Sequence, residues 1–96
     1  MATQSVPTVH LNGTDGTVLQ TQNEAALSTI ELAIEQLMLA APHGRDYYVR
    51  GATAFAEAYG QHAARLKALG TVRDELREIV RGIRRQNEAR DARRAP

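Results

Sequence analysis

The chain reads as an all-α protein: a long antiparallel helical hairpin with an extended N-terminal arm, built to assemble into a homo-oligomer. Three observations predict this. Apolar residues recur at spacings of three and four along two long stretches, one strong helix break separates them, and only one short segment favours strand geometry. Ninety-six residues make one domain at most, and a chain this short buries a limited core.

The organisation in order is an arm over residues 1–14, a hairpin over 15–86 with its turn at 42–50, and a frayed basic tail over 87–96. In the arm, Pro7 restricts the backbone, Thr8, Val9 and Leu11 favour extended geometry, and Asn12-Gly13 signals a turn. A single strand candidate has nothing to pair with, so no sheet is expected. Thr14 or Asp15 is placed to cap the helix that follows. Gly16 weakens its first turn and allows a start as late as Gln22 or Asn23.

The first helix spans about Asp15 to Ala41. Leu27, Ile30, Ile34, Leu37 and Ala41 form one continuous apolar stripe. Ala26, Leu32, Ala33 and Leu39 add a second, with Met38 between. One neighbouring helix cannot cover a face this wide, which implies burial on two sides and hence oligomerisation.

The second helix is expected from Gly51 or Ala52 to about Gln86. Phe55, Tyr59, His62, Leu66, Leu69, Leu76, Val80 and Ile83 keep a heptad pattern along it. The register slips once, where Arg73 takes an inward position and Val72 beside it supplies the apolar substitute. Ala40 and Ala41 are expected to face Ala52, Ala54, Ala56 and Ala58, making the hairpin tightest beside its turn. Gly60, Gly70 and Gly82 each cost a helix about 1 kcal/mol against alanine and mark a bend or a close crossing. Beyond Ile83 no large apolar side chain remains, so the tail is expected to fray.

Net charge is +1, unevenly spread. Residues 1–50 carry two basic and five acidic side chains, and residues 51–96 carry ten basic and six acidic. That asymmetry suits complementary faces within a hairpin or between subunits better than an anion-binding half. Nucleic acid is disfavoured as a partner, because acids interrupt the basic stretches and aromatics are few.

The absence of cysteine excludes disulfides and thiolate metal sites, and His10, His43 and His62 lack metal-ligand spacing, so neither metal nor cofactor is assigned. No apolar run is long enough to cross a membrane, and residues 1–13 lack the pattern of a signal peptide. The expected location is cytoplasmic. No nucleophile–base arrangement or phosphate-cradling glycine loop is visible, so no enzyme is expected.

Two polar clusters stand out. The segment Pro42-His43-Gly44-Arg45-Asp46-Tyr47-Tyr48 breaks the helical pattern, because Pro42 disfavours helical geometry at Ala41 and Gly44 permits positive φ. It carries more chemistry than a turn needs. Arg45 offers a planar fork for phosphate or carboxylate, and Tyr47 and Tyr48 offer faces for a base. His43 can hydrogen-bond a phosphate or base edge, and Arg50 adds a second positive charge. The bland alternative packs both tyrosines over the hairpin end and pairs Arg45 with Asp46 or a helix carboxylate. In the second cluster, His10-Leu11-Asn12-Gly13-Thr14, Asn12 suits a base edge while His10 and Thr14 suit phosphate; a turn and helix cap is the alternative. The two clusters start at opposite ends of a helix about 40 Å long. A shared site therefore requires a folded-back arm or an antiparallel neighbour. His62, on the apolar stripe, reads as a packing residue.

His10-Leu11-Asn12-Gly13-Thr14 followed by Pro42-His43-Gly44-Arg45-Asp46-Tyr47-Tyr48 resembles a family of small proteins encoded by tailed bacteriophages, over about His10 to Ile83. The resemblance implies a phage setting in an infected bacterial host, where small helical oligomers serve as sponges for nucleotide second messengers. The resulting expectation is a non-enzymatic homo-oligomer that sequesters a small phosphorylated ligand, a cyclic nucleotide or related immune signal, to evade host defence. Its site would comprise Arg45, Tyr47, Tyr48, His43, Asn12, His10, Thr14 and Arg50. The alternative is a protein–protein interaction module, either a virion component or an inhibitor of a host protein.

Overall fold

A computed structural model describes residues 4–94; residues 1–3 of the expected arm and 95–96 of the expected tail lie outside the described residues. Two helices account for most of the chain, α1 over Gly16–Leu39 and α2 over Ala54–Arg94, and no strand occurs among the described residues. They pack antiparallel. Arg84 Nη2 donates to Glu24 Oε2 at 2.5 Å and Arg77 Nη2 to Glu31 Oε2 at 3.0 Å, so the expected charge complementarity lies within the hairpin.

Asp15 is the cap that starts α1. Its carboxylate accepts from the backbone N–H of Thr17 at 2.8 Å and of Val18 at 3.4 Å, satisfying two orphan donors of the first turn. The helix therefore begins at Gly16 and not at Gln22 or Asn23. Gly16 is tolerated there because Asn87 of α2 lies against it: Asn87 Nδ2 donates to Gly16 O at 3.0 Å and to Gln20 Oε1 at 2.9 Å, and a β-carbon at position 16 would overlap the Asn87 side chain.

The arm runs alongside α2 in the same direction. Gln86 pins it as a neighbouring strand would: its Oε1 accepts from Val9 N–H at 2.8 Å and its Nε2 donates to Pro7 O at 2.8 Å. Further back, Gln4 N–H donates to Glu78 Oε1 at 3.3 Å. Gly82 explains the close approach between these anchors, since a β-carbon there would lie 2.7 Å from Val6 Cγ1. Of the three interior glycines in α2, Gly82 marks a close crossing, whereas Gly60 faces open space.

Three segments thus pack together at the arm end, and there the chain is best buried. Ile83 is fully enclosed and Val80 and Gly16 are buried, while Leu27, Ile30, Ile34 and Leu37 of the first stripe are half-buried along α1. The expectation of a hairpin tightest beside its turn is overturned. Extending the register of the two cross-helix ion pairs puts Leu39, the last residue of α1, across from about Leu69. The first fifteen or so residues of α2, about 22 Å of helix at 1.5 Å per residue, therefore project past α1. Ala40 and Ala41 do not oppose the start of α2, and both are exposed. Nor does Val72 replace Arg73 on the inward face: Val72 is exposed, whereas Arg73 is half-buried and donates from Nε to Asp74 Oδ1 at 3.1 Å.

The expected fraying from residue 87 is also corrected. α2 continues to Arg94, anchored by Asn87 at α1. The stretch is rich in alanine, arginine and glutamate, all good helix formers, and Arg93 and Arg94 in the last turn offset the negative end of the helix dipole.

The outcome is an elongated molecule of 69 × 24 × 20 Å, with a radius of gyration of 19.8 Å where a compact chain of this length has about 12 Å. The exposed large apolar side chains divide unevenly along it. Leu11 and Val18 lie at the arm end, whereas Leu32, Met38, Leu39, Tyr48, Val49, Phe55, Tyr59 and Val72 run from the middle of the hairpin to its connecting end. The second apolar stripe of α1, Ala26, Leu32, Ala33 and Leu39, is uncovered throughout.

Glu24 supplies a pH prediction. Hydrogen bonds from Arg84 and then Gln20 hold its carboxyl below the ordinary glutamate range, against a smaller opposing effect of desolvation. A lowered carboxyl pKa stabilises the fold above the unfolded-state value, and that contribution is lost as pH falls through the folded-state value. The melting temperature is therefore expected to drop slightly as pH is taken below the usual glutamate range. Glu24→Gln should flatten that part of the profile; an unchanged profile would remove the pair from the account of stability.

Candidate functional site

The connection from α1 to α2 is built from two short 3-10 turns, Gly44–Asp46 and Tyr48–Arg50. Asp46 N–H donates to His43 O and Tyr47 N–H to Gly44 O, both at 3.0 Å, closing the first turn. Arg50 N–H donates to Tyr47 O at 3.0 Å to close the second. Gly51, at φ 117°, is the one position of positive φ among the described residues, so the left-handed residue of this connection is Gly51 and not Gly44.

These turns send the two tyrosines different ways. Tyr47 is half-buried, its ring centroid 6.5 Å from that of Phe55, which in turn lies 6.0 Å from Tyr59. The tilted rings form a short aromatic row on the first two turns of α2. Tyr48 is exposed to 73%, beside the equally exposed Val49. Arg45 and His43 are exposed as well, and Arg45 makes no ion pair among the described residues, so the pairing with Asp46 or a helix carboxylate does not form.

Tyr47 and Arg50 line a shallow groove of about 160 Å³ with Ala54, Glu57, Ala58 and Gln61. Glu57 and Gln61 were not singled out by the sequence. Their signal is their four-residue spacing, which sets a carboxylate and an amide one turn apart on the face of α2 that follows the loop. The groove offers a cation, a phenol, an acceptor-only group and an amide. That mix suits the edge of a heterocycle beside an anionic group.

The second cluster sits at the far end. Gly13 N–H donates to His10 O at 3.1 Å, closing a turn over which the His10 ring folds: a β-carbon on Gly13 would be 2.8 Å from His10 Nε2. His10 lines a groove of about 220 Å³ with Arg90, Arg94 and Asp15. Asn12 and Thr14 do not line it, and both are exposed. Arg90 and Arg94 belong to the stretch expected to fray, and their spacing of four on a continuous helix is what sets both guanidiniums beside His10.

Phe55, next to Tyr47, and Arg90, next to His10, are about 50 Å apart along α2. The arm does not bring the clusters together, because it runs with α2 toward the far end. Within one chain, then, Arg45, Tyr47, Tyr48, His43 and Arg50 are grouped at one end and His10, Asn12 and Thr14 at the other. No cluster of histidine and carboxylates able to hold a metal ion occurs among the described residues, and no helix is long and apolar enough to cross a membrane.

His62 is an exception in the packing. It is only 7% exposed, yet its Nε2 has no hydrogen-bond partner among the described residues. It lies on the part of α2 that projects past α1.

No protein-family model matches the chain, and no curated protein or solved structure is significantly similar to it.

Proposed function

We propose that the chain is a non-enzymatic, homo-oligomeric protein that sequesters a small phosphorylated ligand, a cyclic nucleotide or related immune signal, on behalf of a phage in the cytoplasm of its bacterial host. The observation that carries this reading is the free guanidinium of Arg45 beside an outward-facing Tyr48, on the same segment as the groove of Tyr47 and Arg50. In this reading Arg45 and Arg50 hold phosphate and the tyrosines stack on the base. His43 completes that end. His10, Asn12 and Thr14, with Arg90 and Arg94, join the pocket only where an antiparallel neighbour lays its arm end over the connection.

Arg45→Ala should abolish ligand binding and leave helicity and assembly mass unchanged. The measurement is a thermal-shift series over cyclic mono- and dinucleotides, in which a true ligand stabilises by an amount that grows with concentration, about 2.7 kcal/mol at a hundred times the dissociation constant. Equal shifts for the wild type and Arg45→Ala would refute the assignment.

A second reading, a protein-binding module acting in a virion or on a host protein, is favoured by the apolar side chains around the same segment, Val49 and Leu39 above all. It predicts no shift with any nucleotide.

A further inference from the structure

We infer that the connecting half of the hairpin is an interface between copies of this chain, formed by a second copy laid antiparallel across the projecting part of α2. The inference rests on the reading above for the ligand groups of the connection alone, because in this overlap the partner's arm end stays about 30 Å further along α2, and on the surface alone for the contact itself.

The area is the first argument. A compact monomer of 10.5 kDa exposes about 5,400 Å² by the scaling of surface with mass. This chain exposes 7250 Å². The excess of roughly 1,800 Å² per chain is more than the ~800 Å² that each partner contributes to a standard stable interface.

The exposed large apolar side chains are concentrated in the connecting half. At the arm end, a third segment covers the seam between the helices, held by Gln86 and received by Gly82. Past Leu39 the connection lies beside α2 in place of α1, with Tyr47 against Phe55, and Met38, Leu39, Val49, Phe55 and Tyr59 stay exposed around it.

Charge argues for a like partner. Residues 31–69 carry four basic and four acidic side chains, so two such faces meet without net repulsion. Antiparallel overlap of two projecting stretches makes a self-complementary contact with two-fold symmetry, in which each copy covers the exposed apolar side chains of the other. Each copy then also walls the open side of the other's groove at Tyr47 and Arg50.

Light scattering on the full chain, with no ligand added, is expected to give the mass of two or more chains. Leu39→Asp with Val49→Asp, both at highly exposed positions, should lower that mass to a single chain with the helical circular dichroism signal unchanged. Leu11→Asp with Val18→Asp, at the arm end, should leave the mass as it is. A single-chain mass for the wild type would overturn the inference without reference to any variant. Persistence of the assembly in the first double variant, or its loss in the second, would overturn the placement. Arg45→Ala keeps its assembly under either outcome, so failure of this interface and failure of the ligand assignment are read separately.

Discussion

Ile83→Ala is expected to lower folding stability by about 2–5 kcal/mol, the range for removing a fully buried isoleucine and leaving a cavity behind. The site has little freedom to collapse. Its neighbour Gly82 is pressed against Val6 of the arm, Gln86 on the next turn holds two backbone groups of the arm, and Asn87 holds α1. Polar ties on both sides keep the surrounding segments at their spacing, so the lost volume stays empty. Ile83 and Val80 are the buried large apolar side chains among the described residues, so the core at stake is small. Native domains are stable by about 5–15 kcal/mol, and a chain with this little burial belongs at the low end. The variant should therefore be substantially unfolded at physiological temperature, which far-UV circular dichroism in a urea titration would report. A wild-type midpoint would mean that the three-segment packing around Ile83 does not hold the fold.

That packing is also where sequence reasoning stopped short. Periodicity located both helices, because the stripe of Leu27, Ile30, Ile34 and Leu37 and the pattern through Leu69, Leu76, Val80 and Ile83 report directly on a buried face. It was silent about the polar residues that lock the fold. Gln86 and Asn87 carry no apolar signal and read as the end of the hairpin and the start of a solvated tail, yet their amides make the contacts that dock the arm and the first turn of α1. Nothing local announces such a role, since it depends on which backbone groups a distant segment brings within reach. The same gap explains Arg90 and Arg94, which become neighbours of His10 only once the tail is helical and the arm is docked.

The connecting segment shows the opposite balance. Its residues were legible as chemistry, and its break in the helical pattern was legible as a turn. What the residues could not convey was its geometry. Two successive 3-10 turns place Tyr47 against Phe55 and leave Tyr48 outward, so adjacent identical side chains have different surroundings. The length of the connection also lets α2 project past α1, which a pairing of alanines across a short turn does not allow.

Gly16→Ala is expected to destabilise the chain by about 1–3 kcal/mol, although alanine is the better helix former. The helix term favours the substitution by at most about 1 kcal/mol. Against it, the new β-carbon would overlap Asn87 Oδ1 and approach Val9 Cγ1 at 3.0 Å. Asn87 must then swing away, and it gives up its bonds to Gly16 O and Gln20 Oε1 together. Gln20 is itself tied to Glu24, so the loss reaches the ion pair with Arg84. Losing partially buried hydrogen bonds of this kind outweighs the gain in propensity. The test is a double-mutant cycle with Asn87→Ala, read by thermal or urea denaturation. Once the asparagine is gone the worst overlap is relieved and only the tight contact with Val9 Cγ1 remains, so the cost of alanine at position 16 should shrink toward zero or reverse in that background. A reduced cost or a reversal of sign identifies the asparagine–glycine contact as the reason a glycine opens α1, whereas equal effects of Gly16→Ala in both backgrounds would mean that the two positions do not constrain one another.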